Sequence, residues 1–101
     1  MRYWVQLATE QFPPSNLIEQ AVEAERAGFD AVNVSDHFQP WWEPGESGMA
    51  WALLGAVGQA TERVGVGTGV TAPVHRYHPA VVAQFAATME EMCPRRAFLG
   101  I

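Results

Sequence analysis

Apolar and polar positions along the chain follow two repeat lengths, one typical of strands and the other of helices. Short apolar runs rich in β-branched and aromatic residues predict four strands, over Tyr3–Thr9, Phe29–Ser35, Val64–Val70 and Ala97–Ile101. Between them, apolar residues recur at helical spacing over Asn16–Ala27, Met49–Thr61 and Pro79–Met92. The predicted order of elements is therefore βαβαβαβ.

Proline and glycine support the predicted helix ends. Pro13 and Pro14 interrupt the chain before the first helix, and Gly28 follows its last residue. Pro79 suits the first turn of the third helix, where no backbone N–H is needed, and Pro94 ends that helix.

Helical crossovers between successive strands predict a parallel sheet with right-handed connections, which is an α/β fold. Both a doubly wound sheet and a (β/α)8 barrel meet this description. A barrel takes about 250 residues, so these 101 residues would supply its N-terminal part and stop at the fourth strand. We expect one domain over residues 1–101, with two unpaired strand edges if the chain stands alone.

The composition indicates a soluble globular protein. The chain is 49% apolar and 17% charged, which excludes a disordered segment. A net charge of -5 and six scattered arginines argue against a nucleic-acid partner. No apolar run is long enough to cross a membrane, no signal-peptide pattern follows Met1, and the single Cys93 suits a reducing compartment. We therefore expect a cytoplasmic protein that binds neither membrane nor nucleic acid.

The first candidate residues for chemistry are Asp36 and His37, which directly follow the second predicted strand. In α/β folds, ligands collect at the carboxyl ends of parallel strands, where the loops begin. Histidine changes charge near neutral pH and suits general acid–base work. The alternatives are a solvated loop pair, or a turn capped by Asp36. Trp41 and Trp42, in the same long loop, either face a pocket or fold back as a lid.

The glycine-rich run Gly65–Val70 invites comparison with a dinucleotide-binding loop. The spacing does not fit, because other residues occupy the third glycine position and Pro73 prevents a helix from starting where phosphates would need one. Gly69 and Val70 nevertheless end the third predicted strand, where a backbone without a Cβ can lie against a flat ligand. Packing alone would explain Gly69 equally well.

The loop after the third strand contains His75, Arg76 and His78. No histidine pair has the spacing of a helical metal motif, and no Cys–Glu cluster accompanies them, so we expect no metal site. Arg76 would suit a phosphate or carboxylate ligand, or it would serve as a structural ion-pair partner.

Four ordered blocks of sequence resemble one family. They are Ser35–Trp41 (SDHFQPW), Gly67–Val70 with Ala72–Pro73, Arg76–Gln84 and Arg96–Gly100. Together they resemble the luciferase-like superfamily and, within it, the oxidoreductases that use the deazaflavin coenzyme F420, especially the glucose-6-phosphate dehydrogenase type. The resemblance covers nearly the whole chain and implies a (β/α)8 barrel.

The resemblance also implies a role for each matching residue. Asp36 would contact the coenzyme, His37 would be the base that takes a proton from a substrate hydroxyl, and Trp41 would line the site beside the reacting centre. The Gly69–Val70 bond would be a non-proline cis peptide behind the coenzyme ring. The implied reaction is hydride transfer between the coenzyme and an alcohol-type small molecule such as a sugar phosphate, in a homodimer.

Two departures from the family pattern and one missing block restrict what the resemblance implies. Gly69 and Ala72 stand where serine and threonine are usual in the glucose-6-phosphate enzymes, which leaves the substrate open. The block with the acid-partner glutamate would begin beyond Ile101, so we expect a fragment of a longer reading frame that is not a competent enzyme alone. The alternatives are an FMN-dependent monooxygenase of the same superfamily, or a non-catalytic fragment that binds a partner through its strand edges.

Overall fold

The computed structural model describes all residues from 1 to 101 and contains four strands and three helices in alternation. The elements are β1 Trp4–Leu7, α1 Pro14–Arg26, β2 Ala31–Val34, α2 Ala50–Ala60, β3 Gly65–Thr68, α3 Pro79–Met92 and β4 Ala97–Phe98. All neighbouring strands are parallel and lie in the order β1-β2-β3-β4. The predicted βαβαβαβ order and parallel sheet are confirmed.

The element ends depart from the prediction in two informative places. Helix α1 begins at Pro14, two residues early, because a proline at the first helical position needs no N–H partner and already has a helical φ. Strand β4 contains two residues where five were predicted. Beyond it, the Gly100 N–H donates to Thr68 Oγ1 at 3.1 Å, and the Gly100 carbonyl accepts from the Thr71 N–H at 2.9 Å. The pairing of β3 with the last residues therefore continues partly through a side chain.

The hydrophobic core lies between the outer face of the sheet and the helices. Alternate strand residues Leu7, Val32, Val34 and Val66 have at most 1% of their surface exposed there, as expected for a period of two. They belong to a core cluster of 16 buried residues. None of the three helices has the length and apolar character that crossing a bilayer requires.

The inner face of the sheet is lined by small residues and two large aromatic ones. The rings of Trp4 on β1 and Phe98 on β4 have centroids 4.8 Å apart, although two strands separate them. A Cβ placed on Gly67 would lie 2.5 Å from the Phe98 ring. Gly67 therefore leaves space for Phe98 on a concave inner face, so packing explains this glycine.

The Glu25 carboxylate connects the end of α1 to the segment between α2 and β3. It accepts hydrogen bonds from the N–H groups of Glu62, Arg63 and Val64, the shortest being 2.6 Å from Arg63. Burial alone would raise the pKa of Glu25, but these three donors and the Arg63 guanidinium outweigh it and hold the pKa below its ordinary value.

Four of the six arginines line one recess at the N-terminal edge of the sheet, although they are scattered in the sequence: Arg2, Arg63, Arg95 and Arg96. The expectation that arginines do not cluster is wrong. Arg63 donates to the carbonyls of Glu25 and Phe29, and Arg96 donates to those of Gly58 and Val64. These two side chains satisfy backbone carbonyls around the ends of α1 and α2.

Candidate functional site

Loops that follow β1, β2 and β3 meet at the C-terminal edge of the sheet. They are residues 8–13, 35–49 and 69–78. Because the strands are parallel and adjacent, their carboxyl ends share one edge, so side chains distant in sequence come into contact. All five predicted site residues lie in the second and third of these loops.

Asp36 is a buried carboxylate with three hydrogen-bond donors, and its side chain has no exposed surface. Its Oδ1 accepts from Arg76 Nη1 at 2.6 Å and from the Tyr77 hydroxyl at 3.2 Å, while Oδ2 accepts from Thr71 Oγ1. The structural ion-pair interpretation of Arg76 is therefore confirmed. The interpretation of Asp36 as part of a solvated loop pair is wrong.

Tyr77 lies beside this ion pair, and the surroundings hold its proton. Burial raises the pKa of the Tyr77 phenol, the Asp36 carboxylate raises it further, and the Arg76 guanidinium only partly opposes them. The phenol therefore stays protonated at neutral pH and can donate to Asp36.

His37 points away from Asp36 and contacts the loop after β1. Its Nε2 lies 2.8 Å from Glu10 Oε1, and the side chains of His37 and Glu10 are 28% and 10% exposed. The carboxylate that pairs with His37 is therefore Glu10 and not its sequence neighbour Asp36. Sequence analysis missed Glu10, although it stands just after the first predicted strand, as Asp36 and His37 stand after the second.

Trp41 packs against the His37 ring. The two rings meet edge to face with centroids 5.0 Å apart. Trp41 is 70% exposed and Trp42 is 49% exposed, and their ring centroids are 6.1 Å apart. The structure thus brings His37 and Trp41 together and leaves an aromatic surface open at this edge of the sheet.

The Gly69–Val70 peptide bond is cis, as the resemblance implies. The Gly69 N–H donates to the Val34 carbonyl at 2.8 Å, and the Val70 carbonyl accepts from the Asp36 N–H at 3.2 Å. A Cβ on residue 69 would overlap the Asn33 side chain as it lies here, so Asn33 uses the space that this glycine leaves. Val70 itself is 54% exposed, and its side chain stays accessible to a ligand.

Comparison with known proteins places this constellation in a family. The model of the family described as luciferase-like monooxygenase matches residues 1–101. An F420-dependent glucose-6-phosphate dehydrogenase from Segniliparus rotundus is 53% identical over 95 residues, covering 93% of this chain. The chain spans 28% of that relative's length.

Two solved structures have the same arrangement of strands and helices. An F420-dependent secondary alcohol dehydrogenase, solved with an F420-acetone adduct, is 43% identical with a TM-score of 0.94, over 97% of this chain and 30% of that one. The oxygenating constituent of 3,6-diketocamphane monooxygenase from Pseudomonas putida, solved with FMN, is 21% identical with a TM-score of 0.80, over 100% of this chain and 29% of that one. The second likeness concerns the fold alone. The four strands correspond to part of a (β/α)8 barrel, and the chain belongs to the luciferase-like monooxygenase family.

Proposed function

We propose that the protein containing this chain is an oxidoreductase that moves a hydride between coenzyme F420 and an alcohol-type small molecule. The observation that carries the proposal is the contact of His37 with both Glu10 and Trp41, at the sheet edge where Gly69 and Val70 follow β3. The identity to F420-dependent dehydrogenases over nearly the whole chain supports it.

The residues at this edge suit a flat ring coenzyme. Val70 and Trp41 offer exposed apolar surface on neighbouring loops. Gly69 and Val70 would hold the coenzyme. The resemblance implies direct contact by Asp36, but its side chain has no exposed surface, so we propose that Asp36 supports these two residues through its N–H bond to the Val70 carbonyl. When bound, the deazaflavin accepts or donates the hydride.

His37 would handle the proton of the substrate hydroxyl. A carboxylate only accepts hydrogen bonds, so the Glu10 contact places a proton on Nε2 and leaves Nδ1 as the basic nitrogen of the neutral ring in this orientation. Once Nδ1 has taken the hydroxyl proton, the Glu10 carboxylate stabilises the resulting imidazolium. Trp41 packs edge to face with the imidazole and would restrict its movement.

The experiment compares His37→Asn with His75→Asn in the protein encoded by the complete reading frame that contains residues 1–101. His75 is an exposed histidine and serves as the matched control. We expect turnover with secondary alcohols or sugar phosphates, followed by the absorbance of the deazaflavin, to fall at least 100-fold in His37→Asn alone, within the range of general acid–base catalysis. Tight FMN binding by the wild-type protein without any reaction with deazaflavin would favour the FMN-dependent monooxygenase instead.

The oligomeric state and cellular location belong to the same proposal. We infer a homodimer from the resemblance of the sequence blocks to the F420-dependent family, and a cytoplasmic location from the single Cys93, which suits a reducing compartment. Light scattering of the purified protein tests the first inference, and cell fractionation tests the second.

A further inference from the structure

The loop after β3 is fastened to the end of β2 at both of its ends. At its start, the Gly69 N–H donates to Val34 and the Asp36 N–H donates to the Val70 carbonyl. At its far end, Arg76 and Tyr77 donate to the Asp36 carboxylate. Asp36, in the loop after β2, therefore bonds to the start of the loop after β3 through its backbone N–H and to the far end of that loop through its carboxylate.

Arg76 is the only positively charged residue among the three donors to Asp36. The Asp36 side chain has no exposed surface, whereas the Arg76 side chain is 22% exposed. A buried carboxylate that loses its cation is left uncompensated in a region of low dielectric, which is far more costly than losing a surface pair. The position of residues 69–77 thus depends on Arg76 more than on Thr71 or Tyr77.

Other contacts make the far end of the loop one unit around Arg76. Its N–H donates to the Ala72 carbonyl at 3.2 Å, and the Val74 N–H donates to the Tyr77 carbonyl at 2.9 Å. The Arg76 guanidinium also lies 5.1 Å from the centroid of the Tyr77 ring. The Arg76 side chain that pairs with Asp36 therefore belongs to the same turn that its backbone helps to close.

We propose that Arg76 is a positioning residue for the coenzyme, acting through Asp36 on the Gly69–Val70 peptide. The inference rests on the proposed function and adds to it a residue that need not touch either reactant. Its pairing with Asp36 also directs that carboxylate towards the third loop, which leaves Glu10 as the carboxylate bonded to His37.

The test measures coenzyme affinity by titrating deazaflavin fluorescence with Arg76→Gln, Arg76→Lys and the matched control Arg26→Gln. Arg26 also pairs with a carboxylate at 2.6 Å, but on the exposed surface of α1 and away from the site. We expect Arg76→Gln to weaken binding about tenfold or more, with Arg76→Lys in between because a lysine lacks the planar fork. Arg26→Gln should leave the affinity within about twofold of wild type.

A second readout separates positioning from simple stabilisation. In Arg76→Gln the negative charge of Asp36 is no longer neutralised. Asp36 is one residue from His37, which already contacts the Glu10 carboxylate, and the added negative charge favours the protonated imidazole. The acidic limb of the pH profile of kcat/KM should therefore move to higher pH. Loss of stability by itself would not shift that limb in the molecules that remain folded.

The remaining outcomes also decide the matter. A folded Arg76→Gln variant with wild-type coenzyme affinity would overturn the inference and leave the proposed function intact. A wild-type protein that binds neither deazaflavin nor FMN would overturn both. If Arg76→Gln does not fold, Arg76→Lys keeps a cation beside Asp36 but lacks the planar fork, and wild-type affinity in that variant would reject the positioning role.

Discussion

Glu10 and Asp36 show how one edge of a sheet gives two carboxylates different surroundings. Glu10 has one partner, His37, and lies beside an accessible aromatic surface. Asp36 has three donors and no exposed side-chain surface. A carboxylate whose bonds are nearly all satisfied suits a supporting role, whereas one paired to a single imidazole can orient that ring and stabilise its charged form.

We expect Glu10→Gln to lower kcat about 10- to 100-fold while KM changes little, because the imidazole loses the partner that fixes its tautomer and orientation. The control is Glu46→Gln, which removes a neighbouring exposed carboxylate that lines the same recess as Glu10. Steady-state kinetics of both variants check the prediction. An equal loss in both would indicate a general effect of negative charge.

The candidate site could be predicted from sequence only where its residues follow a strand in a recognisable block. Asp36, His37 and Trp41 lie in one such block, and Gly69 and Val70 in another. Their partners Glu10 and Thr71 could not be identified in the same way, because a contact between loops depends on the orientation of each side chain. Periodicity gives the position of a residue after a strand but not the direction in which it points.

At the level of elements, the order was predictable because strand and helix repeats differ so clearly in this chain. The ends of the elements were less predictable, because the shortening of β4 depends on hydrogen bonds between the Thr68 hydroxyl and the Gly100 backbone. The role of Gly67 could not be predicted for a similar reason. Only the structure shows that the Phe98 ring takes the space in which a Cβ on Gly67 would lie.

The Glu25 carboxylate gives a prediction for the stability of α1 and β3 together. We expect Glu25→Gln to lower the free energy of unfolding at pH 7 by about 1–2 kcal/mol, since the amide keeps one acceptor but loses its charge. Glu23→Gln, on the same helix but exposed and paired only with Arg26, should change it by less than about 0.5 kcal/mol. Denaturant unfolding measures both.

Acidification should remove the same stabilisation. The pKa of Glu25 is lower in the folded state, so the contribution is present above the unfolded-state pKa of about 4.3 and is lost as the pH falls through the folded value. The gap between wild type and Glu25→Gln should therefore close below about pH 4. A gap that persists in acid would contradict the assignment.

For the whole molecule, the open sheet is the dominant feature. Strands β1 and β4 each have one unpaired edge, and an exposed parallel edge readily pairs with another chain. We expect the 101-residue chain, expressed by itself, to form soluble oligomers or aggregates and to lack turnover. Size-exclusion chromatography with light scattering measures this, and a monodisperse monomer with full turnover would contradict it.

The contact between Trp4 and Phe98 joins the two ends of the chain across the concave face. Such a pair forms only after nearly the entire sequence has been brought into a closed loop, which makes it a late and entropically costly event in folding. Trp4 fluorescence, read in a variant in which Trp41, Trp42 and Trp51 are phenylalanine, would therefore report the moment at which the curvature of the sheet is established.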